Sequence, residues 1–223
     1  MTIGNVGKAE SSQFLGARKL LLVPLAGFVN QEEELKRLTA KYWTEVGEQV
    51  QKLEAGLGPV ARLYHEGTVD DGESALAMLA QSNPDGHAFL KEAFGRGAEL
   101  HSTENIELFL EVMDLQRCLV MGLASQKVGE QVATWHRDAQ QRRYEAIGTN
   151  INDTLKADEV GLLVISQDHQ VQFADDIQVF YVAPPALNEI IQWMRDQQIA
   201  AQFSNAEPGD GPSPLPDEAP AAE

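Results

Sequence analysis

The chain has 223 residues, 43% hydrophobic and 23% charged, which is enough apolar material for the core of one α/β domain. Its formal charge is −17, about −12 once the five acids after Ser204 are set aside, so phosphate backbones are repelled and nucleic-acid binding ranks low. A single cysteine, Cys118, excludes an intramolecular disulfide and a cysteine-rich zinc site, and the longest apolar run is about half a membrane span.

Taken from the start, residues 1–16 are small and polar and read as a disordered N-terminus with no apolar secretory core, which points to a cytoplasmic chain. Lys19–Leu25 (KLLLVPL) reads as a first buried strand. Asn30 then caps a helix whose first turn is acidic. That helix has Leu35, Leu38, Tyr42, Val46, Val50 and Leu53 on one face, and Gly56 and Gly58 end it. Val60–Glu66 is a second strand. Two short helices follow, one over about 73–81 and one from Pro84 to Gly95. Ala98–Glu104 is a short third strand.

A helix over 105–121 comes next and breaks at Gly122–Ser125, and a long helix runs on to about Leu155. Val160–Ser166 is the clearest strand of the chain, and Asp176–Val182 is a fifth. The link between these two is too short for a helix. The pair is therefore antiparallel, or the fifth strand is reached by an extended loop. A Pro-started helix reaches about Gln198, and residues 204–223 form an acidic, Pro-rich tail expected to be disordered. Alternating strands and helices predict one α/β domain over 17–203, with a mainly parallel sheet of about five strands flanked by helices.

In such a sheet, ligands bind beyond the carboxyl ends of the strands. His65 and Glu66 end the second strand, His101 and Glu104 the third, and Asp168 and His169 follow the fourth. If the strands are parallel, these pairs gather at one edge. Histidine with carboxylate suits a divalent metal (zinc, manganese or iron) or a general acid/base pair. On that reading His65, His101 and His169 are the candidate ligands and Glu66 and Glu104 the candidate bases. The plainer reading is that strand ends adjoin loops, and loops are polar. His87 and His136 sit within helices and read as solvent-facing.

The long helix carries the apolar stripe Val128, Val132, Trp135, Ala139, Ile147, Ile151 and Leu155, and Arg143 falls on its core side. An inward arginine needs a carboxylate or an anionic ligand, because an unpaired buried charge is costly. Arg142 faces about a quarter-turn away. Cys118, within DLQRCLVMG, reads as a small buried hydrophobe. No phosphate-binding glycine loop and no nucleophile elbow is present.

Three segments together carry a resemblance: LYHEG, RRYEAIGTNI and GLLVISQDH. A strand ending in glutamate, a long helix bearing arginine and an apolar strand closed by histidine resemble the TraB and ChaN-like superfamily. That group includes erythromycin-esterase-like hydrolases and metalloproteases. The resemblance covers roughly residues 18–185 and implies a site of Glu66, Arg143 (or Arg142) and His169. It lacks the group's histidine after the first strand, where this chain has VPLAGFVN, and it has Ser166 where a glycine is usual.

Three functions follow as expectations. The first is a metal-assisted hydrolase or small-ligand site at the strand ends, with a carboxylate as base and Arg143 steadying negative charge. The second is a non-catalytic binding or adaptor protein whose acidic surface meets a basic partner. The third, a translation-related factor, rests on the cluster Arg137, Arg142 and Arg143 alone.

Overall fold

β1 (Arg18–Pro24), β2 (Val60–His65), β3 (Glu99–His101), β4 (Val160–Ile165) and β5 (Ile177–Tyr181) make one sheet in the order β3-β2-β4-β1-β5. Every pairing in it is parallel. The structure, a computed structural model, describes residues 16–26 and 32–204. The expectations for the terminal segments 1–15 and 205–223, and for Asn30 as a helix cap, lie outside the described residues.

The connections explain the layers. α1 (Glu33–Leu57) carries the chain from β1 to β2, and α2 (Gly72–Ser82) with α3 (Pro84–Gly95) carries it on to β3 at the sheet edge. α4 (Ile106–Val120) and α5 (Gln126–Thr154) then return it over β2 to β4, in the opposite direction. Right-handed crossovers running in opposite directions put their helices on opposite faces of the sheet.

The strands show both faces in their alternation. Leu21 and Val23 of β1 pack with Leu38, Tyr42, Val46, Leu79 and Leu90 from α1, α2 and α3, and with Leu187 and Ile190 of α6 (Pro185–Ser204). Leu20 and Leu22 point the other way, into Tyr144, Ile147, Ile151 and Leu155. β4, paired on both sides, is buried at all six positions, as an apolar strand covered on two faces must be. Its Gly161 makes room on the α5 side. A Cβ there would stand 3.1 Å from Leu20 and 3.2 Å from Leu155.

Of the two routes expected for the fifth strand, the extended loop is the one found. β5 pairs parallel with β1, and residues 166–176 cross beneath β1 without a helix. Val171, Phe173 and Ala174 of that crossing fill the place a crossover helix would occupy, against Tyr144, Ile147 and Ile151. Gly148 permits the approach: a Cβ there would lie 2.7 Å from the Gln172 carbonyl oxygen.

Three sequence readings need correction. β3 is only three residues long, and Glu104 lies in the loop beyond it. Cys118 is exposed rather than buried. Val128 and Trp135 are also exposed, so the buried stripe of α5 begins at Val132. The cause is common to the last two. The first half of α5 extends past the sheet, where α4 is its main neighbour, and α4 itself buries only Val112 fully. Among the described residues no helix is long and apolar enough to cross a membrane.

Candidate functional site

The carboxyl edge of the sheet is built from the loops after β2, β3 and β4. The Glu66 amide continues the ladder to the Val164 carbonyl (2.8 Å), so its side chain emerges beside the end of β4. The loops after β2 and β3 are stitched together. The Thr68 carbonyl accepts from both the Thr103 and Glu104 amides (3.0 Å each), and the Thr68 and Thr103 hydroxyls both donate to the His65 carbonyl (2.7 Å each). Asn150 of α5 donates to the Thr103 carbonyl at 3.1 Å.

Into this frame α5 projects Arg143. Its Nε donates to Glu104 Oε2 (2.8 Å) and its Nη2 to Glu66 Oε1 (3.0 Å) and to Glu104 Oε1. The remaining carboxylate valences go to the backbone and to Ser166. The Gly67 amide donates to Glu104 Oε1 (2.9 Å), and the Ser166 amide (2.7 Å) and hydroxyl donate to Glu66 Oε2. Phe109 of α4 and Tyr144 stack about the guanidinium, with ring centroids 5.6 and 5.9 Å from Cζ.

All three charged residues are nearly buried. Burial pushes the Glu66 carboxyl up. The hydrogen bonds from Ser166 and the Arg143 charge outweigh it and hold Glu66 below the ordinary carboxylate range. Burial likewise opposes the charge of Arg143, and Glu104 and Glu66 sustain it. The inward arginine of α5 thus finds carboxylates, one of the two partners its position requires.

The histidines do not converge. His65 is buried and both its ring nitrogens are used within the fold. Nδ1 donates to the Glu66 carbonyl at 2.6 Å. Nε2 accepts from Asn83 Nδ2 at 3.3 Å, because Asn83 Oδ1 is occupied by the Gly86 amide at the cap of α3. Burial holds the His65 imidazole down to about 4, against an ordinary 6.5. A histidine depressed in this way makes folding weaken as the pH falls from 6.5 towards 4, since the unfolded chain takes up the proton first. The loss amounts to about 3 kcal/mol at one pH unit per 1.4 kcal/mol. Urea denaturation between pH 7 and 4 is expected to show this decline in the wild type and a shallower one in His65→Gln.

His101 turns to the amino side of the sheet. Its Nε2 lies 3.0 Å from Arg62 Nη1 and 3.4 Å from Glu99 Oε2, within a network that also takes in Glu159. His169 is half-buried. Its Nδ1 accepts from the Val171 amide (3.3 Å), and its ring sits 6.1 Å from that of Phe173. Burial lowers its pKa, while the charges of Glu66 and Asp168 act in the opposite direction. Among the described residues no group of three or more His, Cys, Asp or Glu side chains is arranged to hold a metal ion. Arg142 is exposed and pairs with Glu111 of α4 at 2.7 Å.

Over the Arg143 cluster opens a cleft of about 720 Å³ between the α4–α5 hairpin and the loop after β4. Glu66, Arg143, Tyr144, Ser166 and Asp168 line its inner part, and Gln116, His136, Arg137, Gln140 and Gln170 its walls. His136 is half-buried here, not simply solvent-facing. The Gln140 amide oxygen is buried with no hydrogen-bond partner among the described residues. Sequence reasoning passed over His136, Gln140 and the part of Arg137 in this cleft. The signal was present in the spacing Ala133, His136/Arg137, Gln140, Tyr144, which is one face of a helix.

Of the residues singled out by the resemblance to the TraB and ChaN-like superfamily, Glu66, Arg143 and His169 lie at this edge, and Arg142, the alternative to Arg143, pairs with Glu111 instead. No protein-family model, curated protein or solved structure matches the chain.

Proposed function

We propose that the strand-end cleft binds a small zwitterionic ligand of amino-acid type, without covalent turnover. The observation that carries this reading is how the charges are distributed. Glu66, Glu104 and Arg143 neutralise one another at the base of the cleft. Arg137 and Asp168, which line the same cleft, make no ion pair among the described residues. A free cation and a free anion beside several amides suit a ligand with a carboxylate and an ammonium group, and the Gln140 oxygen awaits a donor. A carboxylate held below its ordinary range and bonded by Ser166 and Arg143 is a poor general base, so Glu66 serves position rather than proton transfer.

The test is thermal unfolding of the full chain with free amino acids, their amides, and zinc, manganese or iron. At a concentration about 100 times Kd a cognate ligand stabilises by about 2.7 kcal/mol. One class of zwitterion is expected to raise Tm, and Arg137→Ala or Asp168→Asn to remove that rise with little change in the ligand-free Tm. A rise produced only by a metal, and lost in His169→Ala, would replace this reading with the metal-assisted hydrolase. The acidic adaptor keeps one argument, the net charge of −17, and predicts no zwitterion effect at all.

A further inference from the structure

The helix that buries least of itself is α4. Ile106, Leu110, Met113, Arg117 and Val120 recur at spacings of four, three, four and three residues. That is the seam of a coiled coil, a stripe of period 3.5 that another helix fills. Here the stripe faces away from α5. Its four apolar members are between 38% and 75% exposed, and Met121 at its end is 84% exposed. α4 meets α5 through its opposite side, where Val112 is buried and Leu108, Leu115 and Leu119 are half-buried.

We infer that this stripe is a homodimer interface, in which α4 of one copy packs on α4 of a second to close a four-helix bundle from two α4–α5 hairpins. Charge selects the occupant. Residues 106–145 hold six acids (Glu107, Glu111, Asp114, Glu130, Asp138, Glu145) and five bases (Arg117, Lys127, Arg137, Arg142, Arg143). This net of −1 stands against −17 for the chain. A basic partner would be drawn to the acidic remainder, and a polyanion would be repelled by the whole. A second copy meets its least self-repulsion at this hairpin.

Size agrees with that occupant. The stripe presents on the order of 500 Å² of apolar surface, at the top of what a monomer usually exposes. A standard interface takes roughly 800 Å² per partner, so the stripe has to be joined by its polar flanks. A two-fold axis makes the patch its own complement, and Arg117, already 2.8 Å from Asp114 of its own helix, enters the seam as a neutralised pair. The inference does not rest on what the cleft binds, although Met113 of the stripe also lines the cleft.

The experiment is sedimentation velocity and equilibrium of the full chain over a wide concentration range, beside Leu110→Glu/Val120→Glu. Both substituted residues are exposed, and Tm and far-UV circular dichroism check that the variant remains folded. The wild type is expected to be a dimer, and the variant, with like charges set in the seam, to have its dimer Kd raised roughly 100-fold or more. A wild type that stays monomeric at millimolar concentration would overturn the inference and leave the stripe to a different occupant. A dimer that the double variant leaves intact would overturn it equally. Leu110→Met/Val120→Ile, which keeps the seam apolar, is expected to preserve the dimer.

Discussion

Arg143→Ala is expected to destabilise the fold by about 3–5 kcal/mol, the usual consequence of removing one partner from a buried ionic cluster. Two carboxylates are then left at the strand ends with no cation between them, and the amides of Gly67 and Ser166 compensate only in part. The effect carries a pH signature. In the wild type Glu66 is depressed, so its contribution is present above the ordinary carboxylate range and is lost as the pH falls through its folded value. In the variant burial dominates and the carboxyl is raised, so its penalty applies at neutral pH and fades on protonation. Urea denaturation at pH 7 and pH 4.5 is therefore expected to show a large gap between the two proteins that narrows in acid. A gap that is constant with pH would mean that Arg143 acts by packing on Phe109 and Tyr144 alone.

Trp43→Ala is expected to cost about 3–5 kcal/mol as a large-to-small change in the core. Trp43 is buried on the face opposite Arg143, stacked on Phe89 at 5.8 Å and edge-on to Tyr42 at 5.2 Å. Its indole donates to the Ala26 carbonyl at 2.8 Å, which ties α1 to the end of β1. A Cβ built at Gly86 would come within 2.8 Å of its ring and within 2.4 Å of Asn83 Nδ2, so this indole helps to shape the cap on which His65 rests. Of the three tryptophans only Trp43 is buried. Loss of the blue-shifted part of the fluorescence, together with the fall in urea midpoint, checks the assignment. An unchanged spectrum would show that Trp43 is solvated.

These two residues differ in how plainly the sequence marks them. The strands were legible because β4 is apolar throughout and β1 from Leu20 onward, and the α1 face because its apolar residues recur at helical spacing. Arg143 stood out as a charge at a core position, and its pairing with Glu66 and Glu104 follows once the strands are parallel. Less legible was everything that depends on which elements lack a neighbour. Cys118, Val128 and Trp135 have the spacing of buried residues, yet the hairpin runs beyond the sheet and leaves them in solvent. Periodicity marks a face as apolar; it does not name what covers it.

The histidines make the same point about polar groups. His65 and His101 both stand near strand ends, but side chains alternate between the two faces and each has its own local partners. His65 is taken by Asn83 and the Glu66 carbonyl, and His101 by Arg62 and Glu99. Adjacency to a strand end sets neither the face nor the partner. The crossing from β4 to β5 was correctly judged too short for a helix. Its parallel solution depends on Gly148, whose missing side chain admits the Gln172 carbonyl and lets a bare loop lie on α5.

The most direct test of the proposed site is a titration followed by amide ¹H–¹⁵N correlations, with amino acids added to the full chain at constant pH. Shifts are expected to be confined to Glu66 and residues 112–119, 133–144 and 166–170 around the cleft, and to vanish in Arg137→Ala. No shift with any zwitterion, or shifts that require a divalent metal and centre on His169, would contradict the account.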